Sequence, residues 1–150
     1  MNIKAAIKRA ILKGGTAALM FGLKMHFDYL IIGACQYRIG TYMNCPYHRK
    51  SLEMLTGMQE ISNAEIQKLD SFTKNVVNEN KECEKTRIYF HYSINDHTYE
   101  EQISELLSDL KNHRYLMVEE IKDYEEHNDV AKFFPLFLKK ALQDIINNKG

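Results

Sequence analysis

The chain lacks tryptophan altogether and holds only two prolines and three cysteines in 150 residues. Pro46 and Pro135 cannot make a Pro-rich linker, so nothing in the composition divides the chain, and a single domain over residues 1–150 is expected. Cys35, Cys45 and Cys83 are odd in number and widely spaced. That excludes a disulfide framework or a zinc-type cysteine pair and fits a reducing compartment. The seven glycines never gather into a phosphate-binding loop. There is no G-x-S-x-G elbow and no His-rich metal helix. No cofactor is therefore expected, and no metal site.

Long apolar runs are missing too. Ala17–Leu23 follows a basic, acid-free start in the manner of a signal core, but Lys24, His26 and Asp28 break it. A membrane span through Ala17–Cys35 would have to bury those same three polar residues. The expectation is a cytoplasmic protein with no transmembrane span.

What is present is an ordinary globular composition, 45% hydrophobic and 27% charged. The formal net charge of zero hides a division. Residues 1–50 carry eight bases against Asp28 alone, a surplus of +7 that residues 51–150 cancel. The acids crowd into Glu100–Asp129. A division of this kind marks either electrostatic partner contacts or a basic segment folded back on an acidic one.

The predicted class is α+β: a predominantly helical domain with a small sheet, its strands near 22–32, 35–42 and 87–95. Asn2–Lys13 reads as an amphipathic helix stopped by Gly14-Gly15. From Leu23, apolar residues alternate through Met25, Phe27, Tyr29 and Ile31, the period of a half-buried strand. The same parity continues through Cys35, Tyr37 and Ile39. A helix with Leu19, Leu23, Phe27, Leu30 and Ala34 on one side is the second reading, and it would make the fold nearly all-α. A helix is expected over His48–Met58. Ser62 and Glu65 form a capping box with Ile61 and Ile66 as its staple, ahead of a core face of Ile66, Leu69, Phe72 and Val76. Ile88–Ile94 alternates as a strand, and Thr98 with Glu101 reads as a second capping box. Tyr115–Val118 reads as a short strand or as a continuing helix. The last helix is expected to hold Pro135 in its first turn.

Three segments resemble known sites. Cys45-Pro46-Tyr47-His48 resembles the active-site turn of glutaredoxins, where a cysteine at a helix N-terminus is stabilised as thiolate. The resemblance implies thiol-redox chemistry at Cys45, although His48 stands where a resolving cysteine would. Glu120-Ile121-Lys122 resembles the Glu-x-Lys half of a restriction-like nuclease site, which implies metal-dependent cleavage with Asp96 or Asp109 completing it. Arg87–Leu110, with Tyr92, Ser93 and Asp96, resembles the opening strand–loop–helix of a Toll/interleukin-receptor domain. Cys45, His48, Cys83, His91 and His97 are the residues from which a metal site would be drawn.

In the absence of a catalytic signature, the expected function is a non-enzymatic interaction module: an inhibitor, immunity-type or adaptor protein holding a protein partner through a charged surface. Its expected contacts are Glu119, Glu120, Asp123 and Glu126 on the acidic side and Lys4, Lys8, Arg9 and Lys13 on the basic side. The basic N-terminal third, with Tyr37, Tyr42 and Tyr47, also offers a nucleic-acid surface. The enzymatic alternatives are thiol-redox chemistry at Cys45 and cleavage at Glu120 and Lys122.

Overall fold

A computed structural model describes residues 15–148. Its elements run α1 (Gly15–Lys24), β1 (Tyr29–Gly33), α2 (Ile39–Met43), α3 (Arg49–Thr56), α4 (Asn63–Asn78), β2 (Arg87–Ser93), α5 (Ser104–Asn112), β3 (Leu116–Lys122) and α6 (Val130–Asn147). The chain is predominantly helical with a small sheet, as expected. The three strands lie in the order β1-β2-β3 and are all parallel. Parallel neighbours need long crossovers, which the helices supply.

Because helices cover both faces, β1 and the central strand β2 are apolar on both sides. Leu30, Ile32, Ile88 and Phe90 pack against α1, α4 and α5 through Leu19, Leu23, Val77, Leu106 and Leu110. Ile31 and Tyr89 face the other way, onto Val130, Phe134, Phe137, Ala141 and Ile145 from the α6 side. Each such aliphatic or aromatic side chain stabilises the fold by about 1.5–3 kcal/mol when fully buried. β3 forms an edge and carries Glu119, Glu120 and Lys122, charges of the kind that blunt an exposed edge.

Several expectations change. The alternation from Leu23 is not a strand. Leu23 ends a helix turn of α1, and only Tyr29–Gly33 enters the sheet. A methyl at Gly22 would overlap the Leu30 side chain, so this glycine lets α1 lie close on β1. No strand forms over 35–42, where the chain turns into α2. The strand near 87–95 is present as β2. Of the two readings of Tyr115–Val118, the strand is found and extends to Lys122. The Asn2–Lys13 helix lies outside the described residues.

Capping is mixed. At α4 the Ser62 hydroxyl accepts from Glu65 N–H and the Glu65 carboxylate accepts from Ser62 N–H, a complete box. Ile61 and Ile66 are buried with Leu52 beside it. The expected box at Thr98 does not form, because its hydroxyl donates to Asp96 instead. Helix α6 begins at Val130, so Pro135 lies inside it rather than in its first turn and removes one backbone bond. Phe72, expected in the core, is 59% exposed. Among the described residues no helix is long and apolar enough to cross a membrane.

Candidate active site

The C-terminal ends of three parallel strands open on one edge of the sheet, where ligands bind in open α/β folds. After β2 the chain turns at Asp96, whose carboxylate is buried. Its Oδ1 accepts from the Thr98 backbone N–H (2.8 Å) and from the Thr98 hydroxyl (2.9 Å), closing a local Asx turn. Its Oδ2 faces His127 Nδ1 at 2.8 Å. His127 lies in the short turn that follows β3. Two residues from separate strand ends are thus brought together by neighbouring strands in register.

The chemistry fixes the tautomer. An ionised carboxylate only accepts, so His127 Nδ1 carries the hydrogen, and in the neutral ring Nε2 presents a lone pair. Burial alone would push the Asp96 carboxyl up. The hydrogen bonds from His127 and from Thr98 outweigh that and hold it below the usual carboxylate range. The His127 side chain is 15% exposed, so one edge of the ring is reachable.

What Nε2 faces is set by the turn after β1. Ala34 takes a left-handed backbone (φ 39°), costly for a residue with a Cβ, and donates its N–H to the His91 carbonyl at 2.9 Å. The turn carries Gln36 to His127, with Gln36 Nε2 3.2 Å from His127 Nε2, so the amide donates to the imidazole lone pair. Gln36 is fastened to the first turn of α1. The Thr16 hydroxyl donates to the Gln36 carbonyl at 2.6 Å and accepts from its N–H at 3.1 Å. Gln102 Oε1 accepts from the N–H groups of Tyr37 (2.9 Å) and Arg38 (2.8 Å). A methyl at Gly15 would stand 2.9 Å from the Gly33 carbonyl, so only glycine lets α1 start this near the strand end.

The protein hydroxyls and thiol close by are occupied. Thr16 and Thr98 are engaged as described. Cys35 is fully buried, and burial pushes its thiol up to about 12, against a smaller opposing effect of Thr16. A thiol held that high is not a nucleophile.

The residues expected from the sequence are placed elsewhere. Cys45 is half-buried in the turn between α2 and α3, and its carbonyl accepts from His48 and Arg49 N–H. It follows a helix rather than a strand, so the glutaredoxin-like arrangement is not made. Glu120 and Lys122 do share a face of β3. However, the Glu120 carboxylate is taken by His91 (3.0 Å) and Lys140 (3.3 Å) and lies 3.7 Å from Lys122. Asp96 is committed to His127, and Asp109 accepts from Tyr37 Oη at 2.6 Å, so no aspartate completes a nuclease pair. Glu119 points to the opposite face, accepting from Tyr92 Oη at 2.8 Å and lying 3.2 Å from Lys111. Asp123 and Glu126 are exposed. Lys4, Lys8, Arg9 and Lys13 lie outside the described residues. Among those residues no three His, Cys, Asp or Glu side chains converge on a metal position.

Sequence reading missed Gln36 and the Asp96–His127 pair. Its one available signal was order: a strand ending in an acid, a helix, a strand, then a histidine, as in the Asp…His half of a hydrolase triad.

Three parallel strands joined by helical crossovers, with an acid–histidine pair at the strand ends, define the arrangement. Solved structures share that fold. The chain is similar to the capsule O-acetyltransferase of Neisseria meningitidis serogroup A, with a TM-score of 0.71 and 15% identity over 87% of this chain and 52% of that one. A histidine-to-alanine mutant of that enzyme in complex with CoA aligns with a TM-score of 0.67 and 17% identity, covering 85% and 52% of the two chains. The substrate-bound serine hydrolase FphF of Staphylococcus aureus, which binds fluorophosphonates, aligns with a TM-score of 0.54 and 12% identity, covering 83% and 51%. The chain spans about half the length of these solved structures. No family model and no curated protein matches it. At these identities the likeness is one of fold. It overturns the expectation of a non-enzymatic inhibitor, immunity or adaptor module, because the fold is that of an acetyltransferase and a serine hydrolase.

Proposed function

We propose that this chain carries the acid–base centre of an acyl-transfer reaction, with His127 as general base and Asp96 as the group that orients it. The observation supporting this most is the buried Asp96 Oδ2 to His127 Nδ1 hydrogen bond at the strand ends, with Nε2 left as an acceptor. The histidine's partners among the described residues are Asp96, Thr98 and Gln36, with no serine or cysteine in reach. With no serine or cysteine hydrogen-bonded to it among the described residues, His127 is read as acting on a hydroxyl of the acceptor itself.

In that step Nε2 takes the hydroxyl proton as the oxygen attacks the carbonyl carbon of an ester or thioester. The new C–O bond forms, the bond to the leaving oxygen or sulfur breaks, and the imidazolium returns its proton to that leaving group. Asp96 stabilises the imidazolium in between. Gln36, which donates to Nε2 at rest, is displaced by the incoming hydroxyl. A water in place of the acceptor gives hydrolysis.

The test is release of p-nitrophenol from p-nitrophenyl acetate and of thiol from acetyl-CoA, with and without polyol acceptors. Replacing His127 by alanine is expected to lower kcat/KM by about 10²–10⁴-fold. Equal turnover by the wild-type chain and His127→Ala would remove the proposal.

A further inference from the structure

Beside the catalytic pair lies an apolar groove of about 670 Å³. One wall is the exposed stripe of α1, with Ala17, Met20 and Phe21. The other is built by Ile39, Met43 and Phe72. Phe21 and Phe72 are 60% and 59% exposed, an unusual outlay of aromatic surface. The groove also includes Thr16 and Gln36, the residues bound to each other and, through Gln36, to His127. Lys24 and Met25 lie towards its other end, so it follows α1 for about 12 Å, eight residues at the helical rise.

We infer that this groove holds the alkyl chain of an acyl or alkyl ester whose carbonyl is presented at His127. This deepens the acyl-transfer reading and rests on it for the location of the carbonyl. Three observations argue for an alkyl occupant. Gln36 both lines the groove and contacts His127, although neither His127 nor Asp96 lines it. Most of its surface is methyl, thioether and aromatic, which favours methylenes, while Tyr42, His48 and Ser51 add polar groups to the lining. Its size is that of a small-molecule site.

The experiment measures binding without catalysis. Methyl ketones of increasing length, from 2-hexanone to 2-decanone, mimic an ester and cannot be cleaved. Titration calorimetry with the full chain is expected to show affinity rising about fourfold per added methylene. Ala17→Glu, an exposed helical position that tolerates the change, is expected to abolish that binding with an unchanged melting temperature. Phe72→Ala, a second exposed position, should weaken the longest ketone most. His127→Ala should bind the series as the wild type does, which separates this inference from the proposed chemistry. If His127→Ala fails to turn over but ketone length has no effect, the groove reading falls and the acyl-transfer reading stands. Coenzyme A binding that is blocked by Ala17→Glu, with no ketone length dependence, would overturn the alkyl assignment in favour of a pantetheine arm. Dimerisation lost on Ala17→Glu, without ketone binding, would overturn it in favour of a second copy.

Discussion

Among the described residues two histidines hydrogen-bond a carboxylate through Nδ1, and only one of them is proposed to do chemistry. His127 meets Asp96 at 2.8 Å, and His91 meets Glu120 at 3.0 Å. The difference lies at the other nitrogen. His127 Nε2 faces the amide of Gln36, a residue that also lines the groove. His91 is fully buried, its ring walled by Tyr124, Phe134 and Phe137, and its Nε2 meets no hydrogen-bond partner among the described residues. Burial pushes His91 below the usual imidazole range despite Glu120 beside it. A carboxylate–histidine pair is thus a structural brace or a catalytic device according to whether its far nitrogen has somewhere to send a proton.

The sharpest way to break this contrast is to exchange the carboxylates for amides. Asp96→Asn removes the anion that holds the Nδ1–H tautomer, and turnover of p-nitrophenyl acetate should fall by about 10²–10⁴-fold. Glu120→Gln should leave turnover unchanged. Equal losses in the two variants would erase the distinction.

Stability should run the other way. His91→Ala opens a cavity among Tyr124, Phe134 and Phe137 and removes a partner of Glu120, which should cost about 2–4 kcal/mol in urea unfolding. His127→Ala, at a half-open position, should cost about 1 kcal/mol.

The two pairs should also separate by pH. His91 has a lowered pKa in the fold, so the unfolded chain binds its proton first. Its contribution is complete above the ordinary value of 6.5 and is lost as pH falls through the lower folded value. Asp96 is likewise lowered, so its contribution is complete above 3.8 and is lost below that, through its own folded value. Urea titrations should show a first decline below 6.5 that His91→Phe removes, and a second, more acidic one that Asp96→Asn reduces, the lowered Glu120, Glu65 and Glu82 supplying the rest. The smallest effect belongs to Lys140→Ala. It removes an exposed cation from Glu120 and should change stability by about 0–1 kcal/mol, with no change at His127.

How much of this was legible in the sequence depended on distance along the chain. The α4 start was readable because Ser62 and Glu65 satisfy each other's backbone within one turn. β2 was readable because its aromatic and β-branched content runs unbroken from Ile88. β1 was misplaced, since Leu23, Met25 and Phe27 alternate only by coincidence across a helix end and a loop. Thr98 looked like a helix cap because the competing acceptor, Asp96, becomes dominant only when the loop folds. The site itself was invisible. Gln36, Asp96 and His127 are ordinary residues singly, and their meaning comes from parallel register that no local pattern encodes. The charge division misled for the converse reason: Glu119 and Glu120, adjacent in sequence, are spent on opposite faces of β3 within the chain itself.

The register also orders assembly in time. Pairing Arg87 with Leu116 closes a loop half as long as pairing Tyr29 with Arg87, and each doubling of loop length adds about 0.6 kcal/mol of closure entropy. The β2–α5–β3 unit is therefore expected to form first, bringing Asp96 and His127 together before β1 docks. Gln36 then arrives last, and its contact with His127 is the closing step of folding rather than its start.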